Sequence, residues 1–68
     1  MKTTTAVRST AISSCTYDDA TNELIVTFTN GRSYTHADVP PEVYQGLVMS
    51  SSPGAFYNSV IRGSYVYI

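Results

Sequence analysis

Residues 23–36 read ELIVTFTNGRSYTH, and this stretch decides the fold. Leu24, Val26 and Phe28 alternate with Glu23, Ile25, Thr27 and Thr29, the period of two that sends successive side chains to opposite faces of a strand. Asn30-Gly31 supplies a hairpin turn, and Arg32 to Ala37 returns as the partner strand. Two registers are open. With a two-residue loop Thr29 pairs with Arg32, Thr27 with Tyr34 and Ile25 with His36, which sets Arg32, Tyr34 and His36 on the face away from Leu24, Val26 and Phe28. With a three-residue loop and Gly31 left-handed, Phe28 faces Arg32, Val26 faces Tyr34 and Leu24 faces His36, and both rings sit with the core. A slip of one residue changes the face of every side chain on the strand.

Upstream, Asp18-Asp19-Ala20-Thr21-Asn22 reads as a turn, because Asp and Asn side chains bond nearby backbone and tolerate tight bends. Before it, Val7 to Tyr17 is rich in small and β-branched residues and suits one or two strands. Ala11, Ser13, Cys15 and Tyr17 there alternate with Ile12, Ser14 and Thr16. Residues 1–6 are small and polar and are expected to fray, leaving residues 7–68 as a single domain.

Downstream the period changes. Asp38 is a candidate N-cap, Pro40 and Pro41 suit a helix start, and Glu42 favours the positive end of the dipole. Val39, Val43 and Leu47 recur every four residues, joined by Tyr44 and Val48, so a short amphipathic helix is expected, weakened by Gly46. Ser50-Ser51-Ser52 breaks it. Ser52 can cap a second helix with Pro53 at its first position, an apolar face of Phe56, Val60 and Ile61, and a stop at Gly63. Ser64 to Ile68 reads as a final strand. The expected fold class is therefore α+β: a small antiparallel sheet in meander order, one or two short helices on one face, and a C-terminal strand.

Composition narrows the function classes. Charged residues make up only 13% of the chain, against about 25% in typical domains, so Ser, Thr, Asn and Tyr must cover much of the surface. The net charge of −1 speaks against tight binding to long duplex nucleic acid, which calls for a basic excess. A single cysteine, Cys15, allows no disulfide within one chain and no Cys-rich metal site, and fits a reducing compartment. Met1 to Ala6 has one basic residue and no apolar stretch behind it, unlike a signal peptide. No apolar run is long enough to cross a bilayer, and a cytoplasmic, membrane-free protein is expected. No cofactor is expected. A chain of 68 residues buries a small core, and oligomerisation is one common remedy, so a homo-oligomer is expected.

A binding module is favoured over an enzyme. Cys15 and His36 could make a nucleophile and base, but nothing in the sequence brings them together, and a buried thiol beside a strand histidine is the better reading. The helix start at Ser52-Pro53-Gly54 offers backbone N–H groups to an anion, with Gly54 allowing a close approach. Six tyrosines are more than so small a core needs, and Tyr57 with Tyr34 or Tyr65 are candidate contact residues. Tyr57 is off the Phe56-Val60-Ile61 stripe, and Asn58 sits beside it as an amide reader. Arg62 and Arg32 are the candidate phosphate partners. The candidate site is thus Ser52, Gly54, Tyr57, Asn58 and Arg62, with Tyr34, His36 and Arg32.

The order Cys15-Thr16-Tyr17-Asp18, then Leu24-x-Val26-x-Phe28-x-x-Gly31-x-x-Tyr34, then Val39-Pro40, then Ser52-x-Gly54-x-Phe56-Tyr57-Asn58-x-x-Ile61-Arg62 resembles the KTSC domain family across nearly the whole chain. The last of these stretches is the most specific. The family takes its name from a domain on some lysyl-tRNA synthetases and includes free-standing bacterial and phage proteins, so the resemblance implies RNA as one partner. Three departures count against a polymer: Tyr34-Thr35-His36 replaces a Tyr-x-Tyr, Pro53 stands where a basic residue is common, and no basic tail follows the last strand. The leading expectation is capture of a small phosphate-bearing ligand, such as a nucleotide or cyclic-nucleotide signal; a phage protein that sequesters a host signal would be one such case. Binding of short RNA or single strands is the alternative, and a protein-interaction or homo-oligomeric domain is the third reading.

Overall fold

A computed structural model describes residues 1–65 of the chain. Four antiparallel strands in sequential order, β1 (Lys2–Ala6), β2 (Ile12–Asp18), β3 (Glu23–Phe28) and β4 (Ser33–His36), form one sheet. Helices α1 (Pro41–Met49) and α2 (Pro53–Phe56) follow, and α2 runs on into a π-helical turn over Tyr57–Ile61. The α+β meander with short helices is as the sequence implies. The strand expected at 64–68 runs into residues 66–68, which lie outside the described residues; Ser64 and Tyr65 instead close the helix with N–H bonds to the Ile61 carbonyl.

The hairpin resolves to the three-residue loop. Leu24 pairs with His36 and Val26 with Tyr34, Phe28 N–H donates to Arg32 O at 2.8 Å, and Gly31 takes a φ of 90°. Glycine enters that region without strain, so Gly31 can close this loop. Tyr34 and His36 therefore share the inner face with Leu24, Val26 and Phe28.

Strand β2 carries a bulge: Ile12 faces Phe28, yet Ser14 already faces Thr27. The extra residue rephases the strand. Ile12, Cys15 and Tyr17 consequently all turn inward and are buried, where simple alternation would have put Ile12 on the opposite face. The outer face is a hydroxyl lattice, with Thr4 bonded to Thr16 at 2.9 Å and Thr27 to Ser33 at 3.0 Å.

Residues 2–6, expected to fray, are a paired edge strand, with Thr3 opposite Tyr17 and Thr5 opposite Cys15. Threonine is a good strand former but leaves no apolar alternation to read. The Thr5 hydroxyl lies 2.6 Å from the Tyr44 hydroxyl and ties this edge to α1.

The cap of α1 also differs from expectation. Pro40, extended at φ −66° and ψ 152°, holds the cap position, while Asp38 lies two residues earlier at φ 56°. A residue before proline is pushed out of the helical region, so Val39 and Pro40 stay extended and the helix cannot begin before Pro41. Val39 is buried, and its carbonyl accepts the Tyr17 hydroxyl at 2.6 Å. Tyr17 also stacks on Tyr44, with ring centres 5.1 Å apart. Gly46 has a packing role: a Cβ there would come within 2.8 Å of the Phe56 ring, so glycine lets α1 and α2 approach closely.

Burial holds the Cys15 thiol up at about 11, against 9.0 for an ordinary thiol. The folded chain thus keeps its proton where the unfolded chain loses it, and stability is expected to fall as pH rises from about 9 to about 11. The full loss is on the order of 2–3 kcal/mol from this group. Burial raises Tyr17 in the same direction. Urea midpoints compared at pH 8 and pH 10.5 test this: wild type should drop steeply and Cys15→Ala less so, while equal drops would contradict it.

Candidate functional site

The π turn fixes which residues of the last helix face the sheet. Arg62 N–H donates to Tyr57 O at 2.9 Å, five residues back instead of four. A four-residue spacing overshoots the α turn of about 3.6 residues and undershoots the wider π turn, so a helix passing from one to the other holds such a spacing on one line. Pro53, Tyr57 and Ile61 form that line and are buried. Phe56 and Val60, expected to lead the apolar face, pack only partly buried beside it. Tyr57, expected off the stripe and outward, is 6% exposed.

Tyr57 is positioned by His36, which is fully buried. His36 Nδ1 lies 3.1 Å from the Tyr65 carbonyl oxygen, which can only accept, so Nδ1 carries the hydrogen. Nε2 lies 2.8 Å from the Tyr57 hydroxyl. The Phe28 ring stands edge-on to Tyr57 at 5.2 Å and to Tyr34 at 5.7 Å. Three aromatic rings from β3, β4 and the π turn thus form one wall whose orientation the core sets.

That wall lines a cleft of about 340 Å³ completed by Asn30, Asn58 and Arg62. Asn58 and Arg62, four apart, share the next line of the same helix and are exposed. The Asn30 side-chain carbonyl accepts the Arg32 N–H at 3.0 Å, which fixes the side chain at the hairpin tip. Among the described residues, those lining the cleft include one cation, Arg62, and no carboxylate.

Four of the eight candidate residues, Tyr34, Tyr57, Asn58 and Arg62, meet in this cleft. The other four do not. Ser52 lines a separate groove with Arg8, Ser9, Thr10, Ser51 and Pro53. Its side chain makes no capping bond, and only four α-helical residues follow it, too few to build a helix-start anion site. Gly54 faces inward, its Cβ position 3.4 Å from that of Ala11, so it packs the β1–β2 loop instead of admitting a phosphate. His36 lies behind Tyr57 as its support. Arg32 serves the hairpin through its main chain and is not among the lining residues. Phe28 and Asn30 were missed: Phe28 read as core and Asn30 as a turn former, and only the register shows that the hairpin tip overhangs the π turn. Cys15 and His36 lie on β2 and β4 with β3 between them, and form no dyad.

Comparison with known proteins agrees with this fold. The sequence profile of the KTSC domain matches residues 8–65. A protein of Tsukamurella paurometabola is 39% identical over 56 residues, spanning 82% of this chain and 84% of its own length. A protein of Stutzerimonas stutzeri is 37% identical over 57 residues, covering 84% of this chain and 80% of its own. The crystal structure of a KTSC domain protein from Yersinia pestis superposes with a TM-score of 0.92 at 26% identity, over 100% of this chain and 96% of that one. Among the described residues no helix is long and apolar enough to cross a membrane.

Proposed function

The chain belongs to the KTSC domain family, and from that premise we propose that it is a binding module whose cleft captures a small phosphate-bearing ligand. The observation that carries this reading is Arg62: an exposed guanidinium lining a cleft with an aromatic wall and the amides of Asn30 and Asn58, with no carboxylate among the described lining residues. Guanidinium suits phosphate because its fork of N–H groups meets two oxygens at once. The volume of about 340 Å³ sits at the low end for small-molecule sites. A polymeric strand would call for several cations along its path, and the described cleft lining offers one.

A ligand that binds only the folded chain raises its melting temperature. At a hundred times its dissociation constant the gain is about 2.7 kcal/mol, which in a domain of this size corresponds to a shift of roughly 10–20 °C. A thermal-shift screen of small phosphate esters against their unphosphorylated parents should give shifts of that order for some of the former and none for the parents. A flat result across all phosphate esters would contradict the proposal.

A further inference from the structure

We infer that Asn30-Gly31 is a self-modifying site: the hairpin tip converts Asn30 to aspartate and isoaspartate, with water as co-reactant, and so sets a carboxylate in the lining of the cleft. The Gly31 main-chain nitrogen gives up its proton and attacks Asn30 Cγ. A new Cγ–N bond closes a five-membered succinimide, while the Cγ–Nδ2 bond breaks and Nδ2 leaves as ammonia with that proton. Water then opens the ring. Opening at Cγ gives aspartate, and opening at the Asn30 main-chain carbonyl carbon gives isoaspartate. Nothing is oxidised or reduced, and loss of ammonia with gain of water leaves the chain about 1 Da heavier.

Three features of the hairpin tip carry this. The first is access. Asn30, Gly31 and Arg32 are all exposed, and a Cβ at Gly31 would meet nothing within 4 Å, so the nucleophile has an open side and no side chain of its own to shield it. The second is a donor already in place. The Arg32 main-chain N–H donates to Asn30 Oδ1 at 3.0 Å. It polarises Cγ and holds the oxygen on which negative charge builds during attack, as an oxyanion donor does. The third is a restraint that yields easily. The Gly31 N–H is tied to the Phe28 carbonyl at 3.0 Å, and this bond must open before the nitrogen can attack. An exposed turn opens far more often than the core unfolds.

Asn22 and Asn58 do not share this setting. Asn22 Oδ1 lies 3.1 Å from the Tyr17 hydroxyl, and the residue that follows, Glu23, begins β3. Asn58 lies inside the π turn, where helical hydrogen bonds prevent the backbone rotation that attack requires. Asn30 lines the cleft together with Arg62, so either product adds a negative charge to that lining. Isoaspartate also lengthens the main chain by one carbon within the loop that the Phe28 N–H to Arg32 O bond closes. On the reading of the cleft as a phosphate site, ageing is then a one-way loss of affinity; that link rests on the phosphate reading, whereas the modification does not.

The test holds the freshly purified full chain at mildly alkaline pH and physiological temperature for days, beside a sample unfolded in urea, and follows each asparagine by fragment-ion mass spectrometry. The folded chain should gain about 1 Da at Asn30 at a rate within roughly tenfold of the unfolded sample, because only the tip has to open. Asn22 and Asn58 should be slowed by folding far more than that. A folded chain that stays unchanged at Asn30 while the urea sample converts overturns the inference, and so does equal gain at all three asparagines in the folded chain. The link to the cleft is read with Asn30→Asp, whose affinity for phosphate esters that stabilise the fresh chain should fall roughly 2- to 5-fold. Unchanged affinity overturns that link and leaves the modification standing. If the fresh chain binds none of the phosphate esters, the phosphate reading falls together with the link, and the mass gain alone decides the modification.

Discussion

Replacing His36 by alanine is expected to remove most of the stability of this domain. A chain of 68 residues has roughly 3–10 kcal/mol in total, at about 0.05–0.15 kcal/mol per residue. His36 is fully buried at the centre of the inner face. Truncating a large buried side chain costs about 2–5 kcal/mol through lost contacts and the cavity left behind. The same change removes the bonds to the Tyr57 hydroxyl and the Tyr65 carbonyl, and each group deprived of a buried partner costs about 1–3 kcal/mol more. Tyr57→Phe is the matched control. It keeps the ring and its edge-on contact with Phe28 while taking the hydroxyl away from His36 Nε2, at about 1–3 kcal/mol. Thermal unfolding followed by circular dichroism should show His36→Ala largely unfolded at room temperature and Tyr57→Phe melting only several degrees below wild type. Equal small losses would contradict the view that His36 holds the π turn to the sheet.

The second large effect concerns binding and leaves the fold alone. Arg62 is exposed. Arg62→Gln removes the only cation among the described cleft-lining residues. A hydrogen bond to a charged group is worth about 1.5–3 kcal/mol, so affinity for a phosphate-bearing ligand should fall roughly 10- to 100-fold. The melting temperature without ligand should hold within a degree or two, as for an exposed charge. Arg62→Lys keeps the charge but not the fork, and should fall between wild type and Arg62→Gln. Arg32→Gln is the informative contrast. It changes an exposed arginine that the sequence nominates just as strongly but that does not line the cleft, and it should leave affinity within about twofold. If Arg32→Gln and Arg62→Gln weakened binding alike, diffuse surface charge and not the cleft would be responsible.

The difference between these two arginines shows where the sequence stops being legible. Strands β2 to β4 can be read because apolar residues alternate and Asn30-Gly31 marks the turn. The register could not be chosen, because both loops satisfy the same pattern, and that choice decides whether Tyr34 and His36 are inside or out. Strand β1 escaped notice because a run of threonines carries strand propensity without alternation. The largest error was at Tyr57. A reading at the α-helical period follows Phe56, Val60 and Ile61 and sends Tyr57 outward. The site split for a related reason. Ser52 and Gly54 open the helix on the side of the β1–β2 loop, whereas Asn58 and Arg62 close it against the hairpin tip, so residues adjacent in the sequence serve different surfaces.

A ligand is expected to sit in the cleft between the hairpin tip and the π turn. Heteronuclear NMR titration of the ¹⁵N-labelled chain with a nucleoside monophosphate reads this directly. The predicted result is saturable shifts in the side-chain amides of Asn30 and Asn58 and in Arg62 Nε, with the Ser51, Ser52 and Arg8 signals unmoved. Shifts confined to the Arg8–Ser52 groove, or none anywhere at millimolar ligand, would contradict it.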